Sequence, residues 1–193
     1  MDWTAATAFF GVIAALVAFF VIFQLRKKPK AKEASRDRKS YWGIGLQAVA
    51  FWITWFFARR YFSPIVPMPW IAEAGVTALT LIVAGSSVWL CASAVRTLGK
   101  QWTYGARVIE DHELIMQGPY SRVRNPIYLG MFGMLLASGL AVGRWPVVIA
   151  AIVIFLIGTR IRIRAEEALL RNAFGEKFEA YARQVPAFVP RLS

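Results

Sequence analysis

Apolar and polar positions along this chain separate into long blocks, unlike the alternation of half-buried strands or the one-sided stripes of soluble helices. The first apolar block runs from Trp3 to Leu25 and meets Arg26-Lys27-Lys28. It is long enough to cross a hydrocarbon core of about 30 Å. With no basic segment before it and no small-residue cleavage site after it, the block reads as a retained span and not a signal peptide. A second block covers Tyr41 to about Phe57, ending at Arg59-Arg60. A loop with Pro64, Pro67 and Pro69 follows, then a third block from Trp70 to about Val95. The fourth is short, Ile127 to Val142, and the fifth runs from Trp145 to about Gly158. Only Gly143 and Arg144 separate these two, which predicts a tight antiparallel hairpin. After Arg160 the pattern changes: Leu170, Phe174, Phe178, Tyr181 and Val185 recur at spacings of three and four until Pro186. That is an amphipathic helix. The expected fold is therefore an all-α, polytopic integral membrane protein with about five transmembrane helices and a cytoplasmic C-terminal amphipathic cap. Residues 1–95 hold spans one to three with a basic loop. Residues 96–193 hold a long loop, spans four and five, and the cap.

Composition agrees. Apolar residues make up 58% of the 193 and charged residues 18%, below the roughly 25% of soluble domains, and a globule of this size cannot hide so much apolar surface. The net charge of +12 would suggest nucleic acid in a soluble protein. Here the basic residues crowd between apolar blocks, so lipid headgroups are the expected contacts and nucleic acid is not. The segment Arg26 to Lys39 holds eight Lys or Arg and two acids, which makes that loop cytoplasmic by the positive-inside rule. Five crossings then put the N-terminus outside and the C-terminus in the cytoplasm, in a bacterial or archaeal plasma membrane or the ER. The lone Cys91 excludes an internal disulfide and a thiolate cluster. The single His112 excludes multi-histidine metal motifs, so no metal is expected.

Three segments are candidates for chemistry. Gly43-Ile44-Gly45-Leu46-Gln47-Ala48 matches the GxGxxA dinucleotide pattern letter for letter. No strand precedes it and it opens a span, so helix packing is the better reading. The run Gly118-Pro119-Tyr120-Ser121-Arg122-Val123-Arg124-Asn125-Pro126-Ile127-Tyr128 places a turn and then a proline-started helix at the membrane boundary. A helix N-terminus there suits a carboxylate, although interfacial tyrosines and stop-charge arginines would produce the same letters. In Arg160-Ile161-Arg162-Ile163-Arg164-Ala165-Glu166-Glu167, Arg162 and Glu166 share one helical face and Arg160 points nearly the other way. Charges continuing directly from a span pair, line a polar cavity, or snorkel to lipid phosphates.

Taken together, these segments resemble the isoprenylcysteine carboxyl methyltransferase family, within the wider group of membrane methyltransferases that includes phospholipid methyltransferases. The resemblance runs from about Leu98 to Leu192. It rests on His112-Glu113-Leu114-Ile115, Gly118-Pro119-Tyr120, Arg124-Asn125-Pro126-Ile127-Tyr128-Leu129-Gly130 and Glu166-Glu167. Phe174-Gly175-Glu176-Lys177-Phe178-Glu179-Ala180-Tyr181 and the closing Val185-Pro186 with Pro190 also fit. It implies a cytoplasm-facing S-adenosylmethionine site contacted by His112, Leu114, Ile115, Tyr120, Asn125, Pro126, Tyr128 and Glu166. It also implies a substrate carboxylate held by Arg162, with Arg162 and Glu166 as the catalytic pair and residues 96–193 as the catalytic region. One departure matters: the family's usual Arg-His-Pro is Arg124-Asn125-Pro126 here, and an amide cannot take a proton near pH 7.

The implied chemistry tolerates that change. A carboxylate nucleophile is already ionised at neutral pH, so the protein's work is alignment and exclusion of water. A prenylated cysteine carboxylate is the leading acceptor, with an apolar tail entering from the bilayer. Phospholipid amines and small thiols are alternatives, and an amine would need Glu166 as base. Further readings are a membrane reductase using a nicotinamide cofactor and a non-catalytic scaffold.

Overall fold

The computed structural model describes residues 3–25, 33–36, 38–60, 62–64, 66–99, 107–109 and 113–189. Among them lie six α-helices: α1 Trp3–Gln24, α2 Ser40–Phe56, α3 Trp70–Leu98, α4 Pro126–Val142, α5 Trp145–Phe174 and α6 Glu176–Gln184. A short antiparallel ribbon joins β1, Glu33–Arg36, to β2, Arg107–Ile109, with Arg36 opposite Arg107 and an irregularity between Glu33 and Ser35. The body of the molecule is thus helical, as the block pattern predicts, but the all-α expectation misses this ribbon. Strands of four and three residues are too short to leave a period-two signal.

The chain is a multi-pass integral membrane protein. The helices α1, α3 and α5 are long and apolar enough to cross a bilayer. At 17 residues each, α2 and α4 span about 25 Å, the lower end of the crossing range. Burial follows membrane logic. Small and weakly polar residues face inward: Ala5, Ala6 and Ala8 on α1, Gly43, Gln47, Ala50 and Thr54 on α2, Ala84, Ser87 and Cys91 on α3. Large residues such as Trp42, Trp52, Trp89 and Ile149 face outward. Lipid tails solvate large apolar groups as well as protein does, so close backbone approach at small residues holds the helices together.

Interhelix contacts fix the helix directions. The Thr77 hydroxyl donates to the Thr4 carbonyl at 3.2 Å, joining the beginnings of α1 and α3. Just after α2, the Arg59 guanidinium donates to the carbonyls of Leu140, Ala141 and Gly143 at 2.8–2.9 Å, capping the end of α4. Successive helices therefore run alternately up and down. The connection between α4 and α5 is two residues, yet α4 lies chiefly along α3 and α5 chiefly along α2. A tight link exists without the two being each other's main partners.

One expected boundary is wrong. The helix that begins at Trp145 does not stop near Gly158. Instead α5 continues unbroken through the arginines to Phe174, about 45 Å in all, so its last turns project beyond a 30 Å core. No Gly or Pro lies between Gly158 and Gly175 to end it. The break comes at Gly175, whose φ of +50° is a left-handed conformation costly for residues with a Cβ. The amphipathic stripe beyond Arg160 is accordingly split between α5 and α6. It is nonetheless a packing face: Phe178, Tyr181 and Val185 are buried against Leu170, Phe174 and Leu114.

Candidate active site

The loop before α4 is built by its turns. Gly118 and Pro119 open a 3-10 turn, Gly118–Ser121. Asn125 then precedes α4 and Pro126 is its first residue, a position where a missing N–H costs nothing. One helical turn holds Asn125, Pro126 and Tyr128 against the interior, all buried. The Asn125 side chain does not cap α4: its Nδ2 donates to the Ala187 carbonyl at 2.8 Å.

That bond belongs to a clamp between the loop and the segment following α6. The Arg124 backbone N–H donates to the Pro186 carbonyl at 2.9 Å. The Arg124 guanidinium donates from Nε and Nη2 to Glu167 Oε1 at 2.9 and 2.7 Å, and from Nη1 to the carbonyls of Ala182 (2.9 Å) and Val185. The Tyr181 hydroxyl donates to the Tyr120 carbonyl at 2.6 Å. Burial pushes the Tyr181 phenol up to about 12. Burial first, and then the nearby Glu166 carboxylate, hold the Tyr120 phenol protonated well above its usual range.

On the facing side, α5 presents Arg162 and Glu166 as the i, i+4 spacing predicts, with Nη2 and Oε1 3.9 Å apart. The Tyr128 hydroxyl donates to Glu166 Oε1. The Arg162 guanidinium carbon lies 4.5 Å from the centre of the Tyr128 ring, a cation–π distance. Arg162 is buried and Arg160 exposed, so the arginines divide as their spacing requires.

These groups meet at one cavity of about 860 Å³. Of the predicted site residues, Leu114, Ile115, Tyr120, Asn125, Pro126, Tyr128, Arg162 and Glu166 all line it. His112 lies outside the described residues. The polar end is formed by Tyr128, Arg162, Glu166 and Glu167. Apolar side chains from both halves of the chain make up much of the rest: Leu16, Phe19, Phe20 and Phe23 of α1 and Ile44 and Phe51 of α2 on one side, and Ile127, Met131, Leu169 and Leu170 of α4 and α5 on the other.

Several site residues escape the sequence reading. Gln47 on α2 accepts from Arg162 Nη1 at 2.9 Å and donates to Thr159 Oγ1 at 2.8 Å. Its signal was available: an amide inside an apolar span is costly and marks a polar partner. The Arg124–Glu167 pair joins residues 43 positions apart, which no local pattern reveals.

The family model for phospholipid methyltransferases matches residues 75–177, more than half of the chain. The chain belongs to that family. A protein-S-isoprenylcysteine O-methyltransferase B from Arabidopsis thaliana is 30% identical over 139 residues, covering 68% of each chain. The nickel-cobalt-cadmium resistance protein NccN of Alcaligenes xylosoxydans xylosoxydans is 35% identical over 126 residues, covering 64% of this chain and 54% of that one. Among solved structures, the eukaryotic intramembrane Ras methyltransferase, an isoprenylcysteine carboxyl methyltransferase, matches with a TM-score of 0.57 at 22% identity. That match covers 81% of this chain and 54% of that one, and it shows a shared fold. The chain spans about half the length of most of the curated relatives it matches. The resemblance read from the motifs is therefore a family relationship.

Proposed function

We propose that this chain is a membrane-embedded S-adenosylmethionine-dependent methyltransferase acting on the carboxylate of a prenylated cysteine or a similar lipophilic acceptor. The observation that carries this reading is that one cavity is lined by every described residue of the expected site, polar at Tyr128–Arg162–Glu166 and apolar along α1 and α2. Family membership supports it independently.

The residues present fit the cofactor. The cavity volume lies within the roughly 300–1,000 Å³ of small-molecule sites. Leu114, Ile115 and the Tyr120 ring offer an apolar, aromatic wall for a purine, and Glu166 a carboxylate for a cationic centre. These residues would hold it with Asn125, Pro126, Tyr128 and His112. S-adenosylmethionine, when bound, supplies an electrophilic methyl group on a positively charged sulfur.

The chain's own residues do the rest. Arg162 would hold the acceptor carboxylate with its planar fork, while Glu166 and Tyr128 fix the direction of that fork. The aromatic wall of α1 and α2 would take the acceptor's tail and exclude water. Asn125, whose amide is committed to the Ala187 carbonyl, has no proton-transfer role, and an ionised carboxylate requires none. Glu166 favours a second reading, in which it deprotonates an amine acceptor.

The up-and-down helix order, with Trp3, Trp70 and Trp145 exposed at one end, supports five crossings with an aromatic belt at the outer surface. With the basic loop inside, the N-terminus is outside and the C-terminus and cofactor cavity face the cytoplasm. We assign the catalytic groups to residues 96–193, with residues 1–95 supplying the tail-binding wall. Titration of purified protein with S-adenosylmethionine and with NADPH tests the enzyme class. Binding of the first alone is expected, whereas binding of NADPH alone would point to a reductase, and binding of neither to a scaffold.

A further inference from the structure

The GxGxxA run at the start of α2 has no nucleotide role in this fold, and its contacts show another. Gly43 lies against the stem of Arg162: a Cβ at position 43 would collide with Arg162 Cγ and stand 2.6 Å from the Gly158 carbonyl oxygen. Gly158 returns the contact, since a Cβ there would come within 2.8 Å of the Gly43 carbonyl oxygen. The paired glycines let α2 and α5 close to backbone contact, and the Arg162 side chain leaves α5 at that crossing. One turn further along α2, Gln47 is buried and uses both ends of its amide. Its oxygen accepts from Arg162 Nη1 and its nitrogen donates to Thr159. The guanidinium can only donate, so it requires the amide oxygen, and the Thr159 hydroxyl accepts from the nitrogen left at the other end. Arg162 is thus held from three directions: by Gln47 at one nitrogen, by Glu166 near the other and by the Tyr128 ring across its face.

The partner at position 47 is neutral. Glu166 already brings one carboxylate to 3.9 Å from the guanidinium; a second at position 47 would fix it equally well but outweigh its charge and compete with any anionic group brought to it. An amide orients the guanidinium and adds no further negative charge. We propose that Gln47 is a positioning residue that holds Arg162 for an anionic acceptor group, making position 47 a determinant of acceptor charge. This deepens the methyltransferase reading and rests on its assignment of Arg162 to the acceptor.

The test compares binding of N-acetyl-S-farnesylcysteine with that of its methyl ester, which has the same tail and no charge. Both are titrated into the detergent-solubilised full chain, wild type, Gln47→Leu and Gln47→Glu, alongside S-adenosylmethionine. Wild type should prefer the acid. Gln47→Leu, which loses a hydrogen bond to a charged group, should weaken acid binding by about tenfold. Gln47→Glu, nearly isosteric, should weaken it by at least as much by pairing with Arg162. Ester and S-adenosylmethionine affinities should stay within about twofold, because the lost interaction is with the charge alone. Parallel weakening of acid, ester and S-adenosylmethionine would make Gln47 a structural residue and overturn the proposal, as would acid affinity unchanged in both variants or a wild type that does not prefer the acid. Turnover of the same acid by wild type is measured alongside. Acid-selective binding that depends on Gln47 without turnover would sink the methyltransferase reading and leave this inference standing. Turnover with unaltered binding in both variants would do the reverse.

Discussion

Replacing Arg124 by Met should detach the C-terminal segment from the loop before α4 at a cost set by burial. The guanidinium makes two hydrogen bonds to Glu167 and one each to the carbonyls of Ala182 and Val185. The side chains of Arg124 and Glu167 are only 12% and 11% exposed. Removing one member of such a pair leaves the other charged and poorly solvated, typically a loss of about 3–5 kcal/mol. Glu167 keeps Arg171 at 3.6 Å, which places the expectation near the lower end, about 3 kcal/mol. Arg171 is itself 46% exposed, so Arg171→Met should cost no more than about 1 kcal/mol. The double variant Arg124→Met with Glu167→Met strands no charge and should recover much of the loss. Equilibrium unfolding in mixed micelles measures all four proteins. A single Arg124→Met variant within about 1 kcal/mol of wild type, or a double variant no more stable than the single, would refute this account of the clamp.

Four further outcomes follow from the same geometry. Arg162→Lys keeps the charge but loses the planar fork, so initial rates at saturating S-adenosylmethionine should fall about 10-fold or more, roughly 1.4 kcal/mol of transition-state stabilisation. The exposed Arg160→Lys should be nearly silent in that assay, and equal losses at both positions would reduce the arginines to membrane anchors. Tyr120→Ala and Tyr128→Ala should each weaken S-adenosylmethionine binding by calorimetry, and wild-type affinity in both folded variants would displace the cofactor from this loop. Because burial raises the Tyr181 phenol to about 12 from about 10 when unfolded, its contribution to stability is complete below pH 10 and lost as the pH rises towards 12. The Tyr181→Phe variant should lack that alkaline limb in pH-dependent unfolding. Cysteines at the exposed Lys39 and Arg144 should label from opposite sides of sealed vesicles, with Lys39 cytoplasmic, and same-side labelling would break the five-span frame.

The sequence made the long apolar helices legible because apolar blocks and their flanking charges are local features. The observed starts at Trp3, Ser40, Trp70, Pro126 and Trp145 fall within a residue of the block edges. The loop from Leu114 to Tyr128 and the Arg162–Glu166 pair were legible as motifs and as a helical spacing. The end of α5 was not, because the change to charged residues at Arg160 alters composition without interrupting the helix, and only Gly175 supplies the break. Gln47 and the Arg124–Glu167 pair depend on which helices lie side by side, and periodicity carries no information about that. Asn125 shows the limit most plainly: a residue that the motif picks out, and that lines the cavity, gives its amide to a carbonyl 62 positions away.

Methyl transfer to a lipophilic acceptor in the cavity between the loop and α5 is the activity proposed for this chain. Its most direct measurement is transfer of labelled methyl from S-adenosylmethionine to N-acetyl-S-farnesylcysteine by purified protein in lipid vesicles, with phosphatidylethanolamine and a small thiol as competing acceptors. Label is expected on the farnesylcysteine carboxyl as a base-labile ester, with the rate strongly reduced in Arg162→Lys. Label on none of the three acceptors, from protein that also fails to bind S-adenosylmethionine, would contradict it.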